Sequence, residues 1–200
     1  VVTPYGKADL DGFVGAFIHA FSGEPYNESY IDEEVVNSVW HPHLEMGSII
    51  LAHDDELDAN SVVGFGCAIP LPKAPQEVQT FLHQRQLDKS LPSDFIPAKT
   101  WYMSELGVLT SYRERGLAYQ LVRHRLISIN HAGGTHYVMR TAAEGSMSRH
   151  LYERLGAQLV AVEHDISSSD QVKKNGSTST KRVYLYGKTS DALRWIDGRG

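Results

Sequence analysis

Six consecutive residues, Arg113-Glu114-Arg115-Gly116-Leu117-Ala118, set two guanidiniums and a glycine directly ahead of a run with helical apolar spacing. A helix start already carries partial positive charge on its unbonded N–H groups, so Arg113 and Arg115 add to that charge rather than offset it. The arrangement suits an anion arriving from outside. Gly116 lets a ligand approach the backbone, Ala118 keeps the first turn narrow, and several amides converge as a phosphate requires. A basic first turn that simply faces solvent is the plainer reading of the same residues. Upstream, Glu105 interrupts the apolar run TWYMSELGVL. Strand alternation puts Trp101, Met103, Glu105, Gly107 and Leu109 on one face and Tyr102, Ser104, Leu106 and Val108 on the other. A carboxylate there is either satisfied by a structural partner or open to a cleft, because burial without a partner is costly.

Other reactive side chains carry weaker patterns. His41-Pro42-His43 reads as a surface turn, since no third ligand is spaced for a metal, and no metal site is expected. The single Cys67 excludes an internal disulfide and fits a reducing compartment, the cytoplasm; its strand-like setting reads as a small buried hydrophobe. No G-x-x-x-x-G-K-[ST] is present to cradle a nucleotide's phosphates. A net charge of -5 argues against a broad nucleic-acid surface. No apolar run is long enough for a membrane span, and the first residues lack a secretory layout, so no membrane partner is expected.

The elements that must position these residues follow from periodicity. With 42% hydrophobic and 22% charged residues over 200 positions, the chain suits one compact domain, 1–200. Leu10, Phe13, Phe17 and Phe21 share one face of a first helix, and 32–40 reads as a second with an acidic first turn. GSIILAH and SVVGFGCAI form an antiparallel hairpin around the polar tip DDELDAN. Residues 70–100, rich in proline around a helix at 76–88, read as an insertion. TWYMSELGVL is a buried strand, followed by a helix from about Gly116 to His131 that Gly133-Gly134 ends. HYVMRT, a short helix through Met147, Leu151 and Leu155, and the strands AQLVAVEHDI and KRVYLYG complete the pattern. The polar loop 167–180 joins the last two strands, and 188–200 is a C-terminal extension with a short helix. This order predicts a mixed α/β fold: a mostly antiparallel central sheet of about six to seven strands, one splayed parallel pair, and helices on both faces.

The stretch Arg113–Ala118 resembles the Q/R-x-x-G-x-G/A loop of the GNAT superfamily of acetyl-CoA-dependent N-acetyltransferases. ELGVLTSYRERGLAYQLV is similar to that family's fourth strand, loop and third helix. MSRHLYERLGAQLV is similar to its later helix and following strand, with Tyr152 ahead of Gly156. AFSGEPYNESYIDEEVV is similar to its first two helices and the turn between them. The likeness covers roughly residues 8 to 187 and lies in order and spacing more than in any one residue.

The resemblance implies an acetyltransferase that takes acetyl-CoA as co-substrate, needs no metal, and acetylates a small-molecule amine or a protein amino group by direct attack. It also implies roles. Backbone amides of Arg113, Glu114, Arg115, Gly116, Leu117 and Ala118 would hold the pyrophosphate of coenzyme A. Main-chain groups of Leu106 and Val108 would pair with the pantetheine arm, with an N–H near Val108 facing the thioester oxygen. A bulge, placed at Gly107, would splay the strand to open the slot. Tyr152 would be the general acid for the departing thiolate, and Glu105 the base or the group that binds the ammonium. Tyr26 and Glu28 fall where the family's first turn lines the acceptor pocket. Where the later helix of the family often begins with asparagine, this chain has Gly145. The alternative is a non-catalytic acyl-CoA-binding or regulatory module with the same fold. The acceptor's identity and a homodimeric assembly stay open.

Overall fold

In the computed structural model, the described residues are 2–4, 9–23, 28–54, 56, 61–163 and 181–198. Tyr26, most of the hairpin tip and the loop 167–180 lie outside them. The described residues of Val1–Ala68 and Glu105–Arg125 make one compact unit, and those of Ile69–Ser104, Leu126–Ser167 and Ser179–Gly200 another.

The first unit holds β1 (Val2–Pro4), α1 (Leu10–Ser22), α2 (Asp32–Val35), α3 (His41–Met46), β2 (Ser48–His53), β3 (Val62–Pro70) up to Ala68, β5 (Leu106–Val108) and the start of α5 (Leu117–His131). The strands pair antiparallel in the order β1-β2-β3-β5. Alternate residues of β2 divide between two apolar clusters: Ile49 and Leu51 join the phenylalanines of α1, while Ile50 and Ala52 join Leu121 of α5. Helices therefore cover both faces of this sheet. That explains why β3 is buried throughout instead of alternating. Phe65 is the hub on the α1 side, with ring centroids 5.3 Å from Phe13 and 5.4 Å from Phe17. Each fully buried phenylalanine contributes roughly 1.5–3 kcal/mol of transfer free energy.

Between α2 and α3 the helix widens into a π turn at Val36–Trp40, closed by the His41 N–H donating to Val36 O. Pro42 has no N–H and its ring would press on the carbonyl four residues back, so the wide turn lets the helix continue. His41-Pro42-His43 is thus the first turn of α3, not the expected surface turn, and His43 is buried.

The second unit takes the last residues of β3 with β4 (Thr100–Met103), β6 (His136–Ala142), β7 (Gln158–Glu163) and β8 (Arg182–Lys188). Ile69 and Pro70 pair antiparallel with Tyr102 and Trp101. β4 and β6 are the parallel pair, β8 lies antiparallel beside β6, and β7 antiparallel beside β8. The segment 70–100 contributes α4 (Gln76–Leu87), whose Val78 and Leu82 are buried with Leu71, Phe95, Tyr102, Val138 and Tyr184. It therefore contributes to this unit's core. α5 ends as the glycine pair predicts: Gly133 has φ +79, and the Gly134 N–H reaches back to Ile129 O at 2.9 Å. α6 (Met147–Arg154) is capped by the Ser146 hydroxyl accepting from the Arg149 N–H. It ends at Gly156, φ +83, with the Ala157 N–H donating to Tyr152 O. The C-terminal helix, α7 (Thr189–Asp197), follows β8 directly.

The run expected as one strand is two. β4 ends at Met103, β5 begins at Leu106, and Ser104-Glu105 is the break. Gly107 is not where the strand gives way. It sits in register opposite Phe65, and a Cβ on it would collide with Phe65 Cζ, so its missing side chain makes room for the ring. Gly107→Ala is expected to cost about 1–3 kcal/mol in urea unfolding by overpacking. Combined with Phe65→Leu, the loss should fall short of the two single losses added together; strict additivity would show that the ring is not the obstacle.

Candidate active site

β5 is short, and its hydrogen bonding alternates. Cys67 N–H donates to Glu105 O at 2.9 Å and Leu109 N–H donates to Val63 O at 3.0 Å, so Glu105, Gly107 and Leu109 bond toward β3. The main-chain groups of Leu106 and Val108 therefore point to the other edge, and β3 is the only strand paired with β5 among the described residues. These are the two residues for which the family resemblance implies contact with pantetheine. Their side chains pack on Ile50, Ala52, Val63 and Leu121, which holds the strand flat on the core.

The loop after β5 turns tightly. Thr110–Tyr112 is one 3-10 turn, and the Arg113 amide donates to Thr110 O at 3.2 Å. That amide is thus used within the turn. Glu114 has φ +63 and Gly116 φ +79, left-handed conformations that cost an L-residue such as Glu114 energy and reverse the chain twice in three residues. Arg113, Glu114, Arg115 and Gly116 are exposed, and Leu117 and Ala118 half-buried. Gln120 N–H bonds to Gly116 O at 3.3 Å; the amides of Gly116, Leu117 and Ala118 precede it at the open end of α5.

Two side-chain contacts fix this loop. Tyr112 OH donates to the Asp54 carboxylate at 2.6 Å, which ties the loop to the end of β2 and holds the Asp54 carboxyl below the usual range. The Arg115 guanidinium lies over the Tyr112 ring, 5.1 Å from its centroid. Arg113 Nε donates to Val108 O at 3.1 Å, so loop and strand edge meet directly.

Beneath the start of β5 lies Arg125, with no exposed surface. Its Nη1 donates to Cys67 O and to Glu105 O, each at 2.8 Å. Gly66 makes this possible, because a Cβ there would stand 2.8 Å from Arg125 Nε. His43 is buried in the same unit. Its Nδ1 donates to Val39 O at 2.6 Å, and burial first, then the Arg125 charge, disfavour its protonation against the opposing pull of Val39 O. Cys67 is fully buried; burial chiefly, and the Glu105 charge secondarily, push its thiol's proton affinity up. It is no nucleophile at neutral pH.

Glu105 is half-buried beside this group. Glu28 is nearly buried and accepts a 2.6 Å hydrogen bond from Tyr30 OH, whose ring packs edge-on to Phe17 and Phe21. Tyr152 belongs to the second unit, 1% exposed on α6, its ring centroid 5.7 Å from that of Tyr137. The first unit thus brings together Glu105, Leu106, Val108 and the loop 113–118. Sequence reasoning missed Arg125, Gly66 and the Tyr112–Asp54 tie. A signal for Arg125 existed: it interrupts the apolar face Leu121, Val122, Leu126 and Ile129, all fully buried. Among the described residues, no group of three or more His, Cys, Asp or Glu could hold a metal ion, and no helix is long and apolar enough to cross a membrane.

The first unit thus carries a glycine turn with open amides beside a strand edge that no strand pairs among the described residues, and the second a mixed sheet with one parallel pair, an α/β arrangement. Residues 15–157 match the acetyltransferase (GNAT) family, and the chain belongs to that family. It is an acetyltransferase, and acetyl-CoA is the donor on which such transfer draws. Its fold is shared with the ribosomal-protein-alanine N-acetyltransferase of Brucella melitensis, at 10% identity and TM-score 0.65 over 94% of this chain and 99% of that one. YncA of Salmonella typhimurium, solved with its cofactor acetyl-CoA, gives 10% identity and TM-score 0.66 over 94% and 93%. A chain of the NatC complex bound to Gag peptide and CoA gives 15% and 0.59 over 94% and 97%. No curated protein sequence matches the chain significantly.

The environment of His43 makes a testable demand. Its proton affinity is lower folded than unfolded, where the pKa is 6.5, so its contribution to stability is intact above that pH and is lost as pH falls toward the lower folded value. His43→Gln should flatten the acid-side slope of unfolding free energy between about pH 6.5 and 5 by up to ~1.4 kcal/mol per pH unit. Parallel wild-type and variant slopes in denaturant titrations would contradict it.

Proposed function

We propose that this chain moves the acetyl group of acetyl-CoA to a primary amine by direct attack on the thioester. The observation that carries the reading is the edge of β5: main-chain groups of Leu106 and Val108 point away from β3 beside the exposed loop Arg113–Gly116. An extended pantetheine arm adds to that edge as a strand would. The amides from Glu114 to Ala118 take the diphosphate, with Arg113 and Arg115 adding charge. Arg113 Nε releases Val108 O as the arm arrives and turns to the phosphates.

An amine of pKa near 10 must shed a proton before it attacks, which costs roughly 4 kcal/mol at pH 7. Glu105, half-buried and negatively charged, binds the ammonium and receives that proton directly or through water. The main-chain N–H groups of the β5 edge stabilise the oxyanion as nitrogen bonds to the carbonyl carbon. As the C–S bond breaks, the Tyr152 phenol protonates the leaving thiolate, whose pKa of about 8.5 demands little help. Glu28, with its Tyr30 partner, lines the acceptor side, a role the family resemblance also implies for Tyr26. The buried, protonated Cys67 supports direct transfer over an acyl-enzyme. The two units act as one acetyltransferase domain, in the cytoplasm. Amino groups of small molecules and of proteins are both accommodated in this reading; one structural neighbour is named for acetylating ribosomal-protein alanine and another was solved with a peptide.

A thiol-release assay with acetyl-CoA against polyamines, aminoglycoside-like amines, amino acids and peptide N-termini tests it. At least one class should release free CoA, and Tyr152→Phe should lower kcat by about 10²-fold. Glu105→Gln should lower kcat/KM by on the order of tenfold or more. Turnover intact in both variants would refute the mechanism; tight acetyl-CoA binding with no thiol from any amine would make the protein a binding module.

A further inference from the structure

Arg125 occupies a position where a helix facing a core ordinarily carries leucine or methionine. Its helical neighbours Leu121, Val122, Leu126 and Ile129 are fully buried, and so is Arg125. A guanidinium kept out of water is costly unless its hydrogen bonds are good. The protein accommodates it with a gap in β3, since only glycine at position 66 leaves room for Nε and Cδ. What it contacts is specific. Nη1 donates to Cys67 O and Glu105 O at 2.8 Å, and Glu105 O also accepts from Cys67 N–H at 2.9 Å.

A trans peptide is planar, with its C=O and N–H pointing oppositely. Two donors on the Glu105 carbonyl fix that group toward β3 and α5. The N–H of the same peptide unit, that of Leu106, is then held toward the open edge of β5. One of the two donors is a cation, which polarises the peptide and strengthens the N–H as a donor. We propose that Arg125 is a positioning residue for acetyl transfer: it fixes and polarises the Glu105–Leu106 peptide so that the Leu106 N–H, in place of the one near Val108 that the family resemblance implies, meets the thioester oxygen of bound acetyl-CoA. Resting on the acetyl-CoA reading, this assigns Arg125 no contact with substrate. It acts through one peptide plane, and Gly66 is its structural requirement.

Three variants test it: Arg125→Met, Arg125→Lys and Gly66→Ala, the last displacing the guanidinium without removing it. Each is measured for coenzyme A Kd, for kcat in thiol release, and for the carbonyl stretch of bound ¹³C-acetyl-CoA in isotope-edited infrared difference spectra. In wild type the hydrogen-bonded carbonyl absorbs at lower frequency than free acetyl-CoA. Arg125→Met and Gly66→Ala should lose most of that shift and at least about tenfold in kcat, with coenzyme A Kd within about threefold, since the diphosphate loop is untouched. Arg125→Lys should recover part of both. Should Arg125→Met fail to fold, the lysine and alanine variants carry the same comparison. An unchanged carbonyl shift in folded variants, or a parallel fall in affinity and kcat with the shift retained, overturns the positioning role. Wild type that neither binds acetyl-CoA nor shifts its carbonyl would instead remove the donor reading itself.

Discussion

Backbone hydrogen bonding around Ser104-Glu105 is the constraint on which the structure turns. Every strand residue brings a donor and an acceptor that need partners. Thr100–Met103 finds them in β3 and β6, whereas Leu106–Val108, among the described residues, finds strand partners in β3 alone. The second half of this sequence therefore has an edge whose amides and carbonyls go unpaired by any strand among the described residues. Edge strands of this kind invite an added strand, and a pantetheine arm, which carries two amides, has the required groups. In the proposed reading, the edge left without a neighbouring strand is where the arm adds.

Holding such an edge in place takes more than pairing on one side. Phe65 presses on β5 at Gly107, Leu121 and Val63 support Leu106 and Val108 from the other face, and Arg125 ties the carbonyl at the strand's start. Two strand glycines serve close approaches, of a phenyl ring at Gly107 and a guanidinium at Gly66. The electrostatics follow the same economy. A chain of net charge -5 leaves Arg113 and Arg115 exposed at the start of α5, and its nearby acid, Asp54, is engaged by Tyr112. The phenol's hydrogen bond keeps the Asp54 carboxylate ionised, and the Arg115 charge favours the same ionised form.

Much of this was legible in the residue order. The glycine pair ending α5, the β2–β3 hairpin, the parallel pair and the turn ahead of α5 follow from capping, alternation, turn chemistry and element order. What was not legible depended on tertiary contact. The alternation of TWYMSELGVL ran straight through a break that no single residue announces, because the break is made by a change of partner. Gly107 looked like a bulge because its phenylalanine neighbour lies on another strand. His43 looked exposed because Pro42 suggested a turn, whereas a π turn ahead of it kept the helix going. Arg125 was readable as a charge on an apolar face, but its meaning came only with the two carbonyls it holds.

The central claim is that a strand edge and a helix start in one unit together receive acetyl-CoA. Residue-resolved amide hydrogen exchange, with and without the ligand, measures this most directly. The account predicts that saturating acetyl-CoA slows exchange at Leu106, Val108, Gly116, Leu117 and Ala118, while amides already bonded to β3, such as that of Leu109, change little. Protection confined to other segments, or exchange at these five amides unmoved at saturation, would contradict it.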